Sequence, residues 1–151
     1  MYKWTYQTEL GVITIGATDS SITYLKNHDT YIGEFKETNL IKKAHSQLTQ
    51  YLMGKRSNFD LPLEPKGTEF QQSVWFKSCE VPYGETTTYK ALAQMINKPT
   101  AIRAVGAANG QNPIYIVIPC HRVVGSNGSL TGYGGGLDMK EKLLKLEGAK
   151  I

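Results

Sequence analysis

Between residues 2 and 27 apolar and polar side chains alternate, with turn signals at Glu9-Leu10-Gly11 and Thr18-Asp19-Ser20-Ser21. A period of two punctuated by polar turns predicts a three-stranded antiparallel meander. The spacing then changes. From Asn39 to Met53 the apolar positions Leu40, Ile41, Ala44, Leu48, Tyr51 and Leu52 recur at helical intervals, and Gly54 stops the run. Ser57 to Gly67, with Pro62 and Pro65, reads as an extended linker. Past it, Glu69 to Cys79 predicts a helix with Phe70, Val74 and Phe76 facing inward, and Pro82-Tyr83-Gly84 breaks the chain. Thr88 to Ile96 predicts a second helix and Asn97-Lys98-Pro99-Thr100 a tight turn. A third helix is expected from Pro99 to Asn109, with Gly110 at its end. Two short helices across a turn make a helix-turn-helix candidate. The expected class is α+β. A small N-terminal α/β unit (residues 1–67, three-stranded antiparallel sheet plus helix) precedes a mostly helical C-terminal domain (residues 68–151).

Composition narrows the class. With 151 residues, 40% hydrophobic and 20% charged, the chain can bury one core or two small ones. No apolar run approaches the ~20 residues that cross a bilayer, and the N-terminus lacks the apolar heart of a secretory signal. No membrane partner is expected, and the reading is intracellular and cytoplasmic. Cys79 and Cys120 are too few for a disulfide scaffold, and His28, His45 and His121 lack metal-ligand spacing. No metal site is expected from these residues. The net charge is +4, carried by 8 basic and 7 acidic groups up to residue 67 and by 9 and 6 after it. That bias suits a polyanion such as nucleic acid.

Three features carry candidate chemistry. Val117-Ile118-Pro119-Cys120-His121-Arg122-Val123-Val124 sets a cysteine beside a histidine and an arginine between β-branched runs. A thiol reacts as thiolate, and neighbouring cations lower its pKa, so Cys120 is a candidate nucleophile; a buried structural cysteine is the alternative. In the third helix Ile102, Val105 and Ala108 are placed toward the core. Arg103, Ala107 and Gly110 form an outer stripe, small and nearly featureless. Such a surface approaches a DNA backbone or minor groove while reading little sequence. Arg103 is suited either to fill a gap in a base stack or to contact a phosphate. In the last helix Asp138 to Glu141 has a capping-box pattern, and Met139, Leu143, Leu144 and Leu146 form an apolar arc that includes Glu147. A carboxylate in a last helical turn needs a partner, and His121 is the candidate; a frayed, exposed turn is the alternative.

Taken together, Arg103-Ala104-Val105-Gly106, Asn112-Pro113 and Ile118-Pro119-Cys120-His121-Arg122-Val123 resemble the signature of the O6-alkylguanine-DNA alkyltransferases. Pro82-Tyr83-Gly84-Glu85 with Tyr89 upstream, and Gly132-Tyr133-Gly134-Gly135-Gly136-Leu137 downstream, fit in order and spacing. The match runs from about Phe70 to Gly148. The resemblance implies a ribonuclease H-like first domain and a monomeric, cofactor-free, single-turnover DNA-repair methyltransferase. Its partner would be double-stranded DNA carrying O6-alkylguanine, bound from the minor-groove side with the damaged base flipped out. It implies Cys120 as alkyl acceptor, with His121, through a bridging water, and Glu147 deprotonating it. Tyr89 would be the proton donor that also helps rotate the 3′ phosphate. Arg103 would replace the flipped base, Asn112 tie the active-site turn, and Tyr133 lie beside the leaving oxygen. Main-chain groups of Cys120, Val123 and Gly134 would read the base edge, and Arg122 and Thr100 would join the DNA contacts. Some members carry zinc in the first domain, but this chain has no cysteine there.

Two positions depart from the pattern. Tyr115 stands where a smaller or cyclic residue is expected, and Gly134 replaces a common serine, which bears on bulky alkyl groups rather than on methyl. Cys79 is read as a small buried hydrophobe. Among rivals, alkyltransferase-like proteins flag lesions without repairing them and lack the acceptor cysteine, which is present here. A cysteine-based helix-turn-helix sensor would need base-reading side chains on the third helix, and a cysteine hydrolase would need an oxyanion hole.

Overall fold

The computed structural model describes residues 1–150, which fall into two compact units, the first Met1–Lys66 and the second beginning at Gly67. In the first, β1 (Tyr2–Thr8), β2 (Gly11–Ala17) and β3 (Ile22–Lys26) form the expected antiparallel meander. A fourth strand extends it: β4 (Glu34–Phe35) runs parallel to β1, giving the order β3-β2-β1-β4. Two residues held by Glu34 N–H to Met1 O and Lys36 N–H to Lys3 O show no alternation for a sequence pattern to reveal.

Helix α1 (Asn39–Leu52) starts at Thr38, whose side chain accepts the Ile41 N–H, and lays Ile41, Ala44, Leu48 and Tyr51 toward the core. That core holds Ile13, Ile15, Ala17, Ile22 and Leu25, all without exposed surface. Each isoleucine or leucine among them contributes about 1.5–3 kcal/mol on burial. The Pro-containing stretch that follows is tied down at two points. Ile22 exchanges backbone hydrogen bonds with Pro62 and Glu64, and the buried Gln47 carboxamide bonds both the N–H and the C=O of Asp60.

The second unit begins with α2 (Glu69–Ser78), opened by a capping box between Thr68 and Gln71. Val74, Trp75 and Ser78 face inward while Phe76 is 47% exposed, so Trp75 rather than Phe76 supplies the aromatic to the core. The indole N–H explains the choice, since it donates to Ala108 O at 2.7 Å and stays satisfied when buried. Cys79 caps the helix and is exposed, contrary to the buried position expected of it.

Next come β5 (Thr87–Thr88), α3 (Tyr89–Met95) and α4 (Ile102–Gly110). Both of these helices start later than the pattern predicts. Thr88 is the cap of α3, its hydroxyl accepting the Ala91 N–H. Pro99 lies in the turn before α4, where Ala101 N–H closes onto Lys98 O and Asn97 takes φ +61°. Ile102, the first residue of α4, is exposed rather than turned to the core, while Val105 and Ala108 are buried as expected. A 3-10 turn over Cys120–Arg122 leads into β6 (Val123–Val124), which pairs parallel with β5. The last helix, α5 (Leu137–Leu146), is capped by Gly136 at φ +99° with no side-chain bond, so Asp138 sits in its first turn and makes no capping box. There its charge favours the helix dipole.

Candidate active site

The acceptor turn is built on a strained segment. Asn112 donates from Nδ2 to Ile118 O and accepts the Ile114 N–H on Oδ1, both at 2.9 Å, closing residues 112–118 into a loop. Inside it Ile116 takes φ +75°, a conformation disfavoured for a β-branched residue. Ile114, Ile116 and Ile118 are all buried, and their packing holds the strain. Pro119 then turns the chain so that Cys120 and His121 face the interior with no exposed surface.

Glu147 is buried at the end of α5, which removes the frayed-turn alternative. Its Oε2 is 2.8 Å from His121 Nε2. Arg122 grips the same carboxylate from Nε and Nη2 at 2.8 and 2.9 Å and donates from Nη1 to Val81 O. A carboxylate held by a guanidinium stays ionised, so Nε2 carries the proton and donates it. His121 Nδ1 is then the acceptor. It is buried and has no partner among the described residues. Burial also pushes the imidazole pKa down, outweighing the upward influence of Glu147, so at neutral pH the ring is an uncharged base.

The thiol departs from the sequence expectation. Burial pushes the Cys120 pKa well up, and Arg122, expected to help lower it, spends its donors on Glu147 and Val81. The groups that favour the thiolate are the Ser78 hydroxyl, the Lys140 charge and the Asn112 carboxamide.

Lys140 was not singled out in the sequence. It has no exposed surface, and its Nζ donates to Val123 O, to Thr131 O at 2.8 Å and to the Tyr89 hydroxyl at 3.4 Å. Its position carried a signal: Lys140, Leu143, Leu144 and Glu147 are spaced i, i+3, i+4, i+7, one buried face of α5. Asn109 is a second such case, with Val105, Ala108, Asn109 and Asn112 at the same spacing and all buried. Its Nδ2 donates to Cys120 O at 3.3 Å.

Tyr89 opens α3 and donates its hydroxyl to Thr131 O; burial raises its pKa, so it holds its proton. Tyr133 is buried edge-on to His121 at 6.5 Å and 5.4 Å from the Tyr115 ring, its hydroxyl unpartnered among the described residues. The two departures at 115 and 134 are linked. A Cβ at Gly134 would lie 2.8 Å from both Gly110 O and the Tyr115 hydroxyl, so the larger ring occupies the room a serine would need. The Val123 carbonyl accepts from Lys140 Nζ, which uses one of its two lone pairs. Arg103 and Thr100 are exposed, on α4 and in the turn before it. Arg122 is only 7% exposed and spends its guanidinium on the Glu147 carboxylate and Val81 O.

The family model for the 6-O-methylguanine DNA methyltransferase DNA-binding domain matches residues 69–149, and that for the ribonuclease-like domain of the same proteins matches residues 1–65. The chain belongs to this family. A methylated-DNA–protein-cysteine methyltransferase of Methanosarcina barkeri is 47% identical over 153 residues, covering 97% of each chain. The crystal structure of Mycobacterium tuberculosis OGT in complex with DNA superposes with a TM-score of 0.90 at 41% identity, covering 98% of this chain and 93% of that one. The S. pombe Atl1 structure with damaged DNA matches 57% of this chain at 31% identity and a TM-score of 0.51. Both the meander-plus-helix unit and the mostly helical second unit are therefore family architecture.

Proposed function

We propose that this methyltransferase repairs duplex DNA by moving the alkyl group, mainly methyl, from O6 of a flipped guanine to Cys120. The observation that carries the reading is the buried Cys120-His121-Glu147-Arg122 arrangement, with a neutral imidazole whose Nδ1 is an open acceptor. His121 takes the thiol proton through a bridging water, since Nδ1 makes no direct hydrogen bond to the thiol, and Glu147, fixed by Arg122, steadies the imidazolium that forms. The sulfur attacks the alkyl carbon, an S–C bond forms, and the C–O6 bond breaks with its electron pair going to guanine. Tyr89, which retains its proton, protonates the departing base. A lesion inside the stack is out of reach of a thiol with no exposed surface, so the nucleotide must rotate into the site.

Arg103 on the exposed face of α4 fills the vacated stack, Thr100 contacts the backbone, and main-chain groups at Cys120, Val123 and Gly134 read the base. The duplex is approached from its minor-groove side by a monomer. The thioether product has no group to hydrolyse it, so each molecule acts once; O4-alkylthymine is the poorer substrate. No metal or cofactor enters. A reducing cytoplasm keeps the free thiols of Cys79 and Cys120 available. A lesion-flagging role is disfavoured because the acceptor thiol is present.

The test is intact-protein mass spectrometry after incubation with a duplex bearing one O6-methylguanine. A gain of about 14 Da mapped to Cys120 is expected, with none in Cys120→Ser, which still binds the lesion duplex. Transfer by Cys120→Ser overturns the assigned nucleophile. Binding without mass gain in the wild type makes the protein a lesion reader only.

A further inference from the structure

Val74, Trp75 and Ser78 share the buried face of α2, and Ser78 has no exposed surface. Its hydroxyl donates to Val74 O at 2.8 Å, a bond back along its own helix. Such back-bonding slightly destabilises a helix, and alanine would fill the place as a better helix former. The reason for a hydroxyl here lies outside α2.

The acceptor turn supplies it. Arg122 Nη1 donates to Val81 O at 2.8 Å and ties that turn to the chain just past the end of α2. The Ser78 hydroxyl lies within hydrogen-bonding reach of the buried Cys120 sulfur. A hydroxyl carries one proton and two lone pairs. While Cys120 is a thiol, the Ser78 proton rests on Val74 O and a lone pair is left to accept the S–H. Once the thiol proton has passed to His121, the sulfur is an acceptor only. Rotation about the Cβ–Oγ bond alone then swings the Ser78 proton onto it, and Val74 O keeps its helical N–H. Ser78 itself loses no proton.

We infer that Ser78 is a further catalytic residue of the alkyl transfer, its hydroxyl turning from Val74 O to hydrogen-bond the Cys120 thiolate as that thiolate forms. The assignment rests on the alkyl-transfer reading above and deepens it. A thiolate with no exposed surface has lost most of its bulk solvation, and a hydrogen bond to the charged form restores part of it.

The experiment compares Ser78→Ala, Ser78→Thr and Ser78→Val with the parent protein, all carrying Cys79→Ser so that Cys120 is the lone thiol. Threonine and valine are close in size and differ in the hydroxyl, which separates hydrogen bonding from packing should the alanine variant be unsettled by circular dichroism. Methylation of Cys120 is followed by peptide mass in two ways. One donor is a duplex bearing O6-methylguanine. The other is iodomethane, which needs only the thiolate: an S–C bond forms and iodide leaves. Binding of the lesion duplex is measured separately with each substitution placed in Cys120→Ser.

The threonine variant is expected to react at close to the parent rate. The alanine and valine variants should be slower by roughly three- to tenfold with both donors, and bind the lesion duplex unchanged. That factor is about half, on a log scale, of the one to two pKa units that a hydrogen bond to a charged group is worth, because a less basic thiolate is also a poorer nucleophile. Equal iodomethane rates in the valine and threonine variants overturn the assignment. So does a loss confined to the duplex reaction, or one matched by weaker lesion binding, either of which reduces Ser78 to a packing residue of α2. No transfer from the duplex to the parent protein would instead overturn the alkyl-transfer reading, and the iodomethane rates would still decide whether Ser78 supports the thiolate.

Discussion

Cys120 sits where a thiolate is hard to form, and the residues that ease its formation set the pH at which the protein works. Burial raises the thiol above its ordinary ~8.5, so the transfer rate should climb with pH from 6 toward 8 as the thiolate fraction grows. Lys140 changes the slope. Its ammonium favours the thiolate, while burial draws its own pKa down to about 8. Above that pH the cation is lost, its help with it, and the profile should flatten. Lys140→Met removes the cation at every pH. The expected result is roughly tenfold slower single-turnover transfer at pH 7, about one unit of thiol pKa, and no break near pH 8. A break retained in the variant assigns it to another group. Lys140 titrates about two units below the ~10.4 of an unfolded lysine, so the unfolded chain binds the extra proton between those values. The raised Cys120 thiol works the other way in this window, so the expected outcome is a difference: from about pH 8 to 10.4 the stability of the wild type should rise relative to that of the methionine variant.

At the scale of elements, helices were legible where a long apolar stripe crosses a buried face, and their ends were not. Ile41, Ala44, Leu48 and Tyr51 gave α1 correctly, because Thr38 and Gly54 bound a run of unbroken period. The start of α3 moved by one residue because the Thr88 hydroxyl caps it, and those of α4 and α5 because Ala101 and Gly136 cap them through backbone geometry that a residue pattern does not encode. The two-residue strands β4, β5 and β6 have no period at all. The site shows the same division. Cys120, His121 and Glu147 were visible as a motif and as a misplaced carboxylate. Lys140 and Asn109 were passed over because polar residues on a buried stripe look like interruptions until their partners are seen. The Gly-rich stretch before α5 yields a prediction of the same scale. Gly134→Ser would place a Cβ 2.8 Å from the Gly110 carbonyl and the Tyr115 hydroxyl. A backbone oxygen yields little, so the variant should lose about 1–3 kcal/mol in urea unfolding, the usual cost of overpacking. Adding Tyr115→Ser should recover part of that loss, since only one of the two obstacles is flexible.

For the whole molecule, the basic balance of the sequence overstates the charge available to DNA. Residues 68–151 carry 9 basic and 6 acidic groups. Arg122, Lys140 and Glu147 are buried, which leaves a surface excess of only two positive charges in this unit. The exposed face of α4 adds little sequence reading, with Arg103 flanked by Ala104 and Ala107. A protein with few surplus cations and one arginine on the exposed face of α4 should bind duplexes weakly, with little sequence preference and a shallow salt dependence. With ~0.9 counterions released per neutralised phosphate, the slope of log affinity against log salt should be roughly −2 to −4 for Cys120→Ser on undamaged DNA. It should be the same within error on duplexes of unrelated sequence. Arg103→Ala is expected to cost more affinity on a lesion duplex than on an undamaged one, because a side chain that fills the vacated stack acts only when a base has left it. Equal losses on both would make Arg103 an ordinary phosphate contact, the alternative its exposed position equally allows.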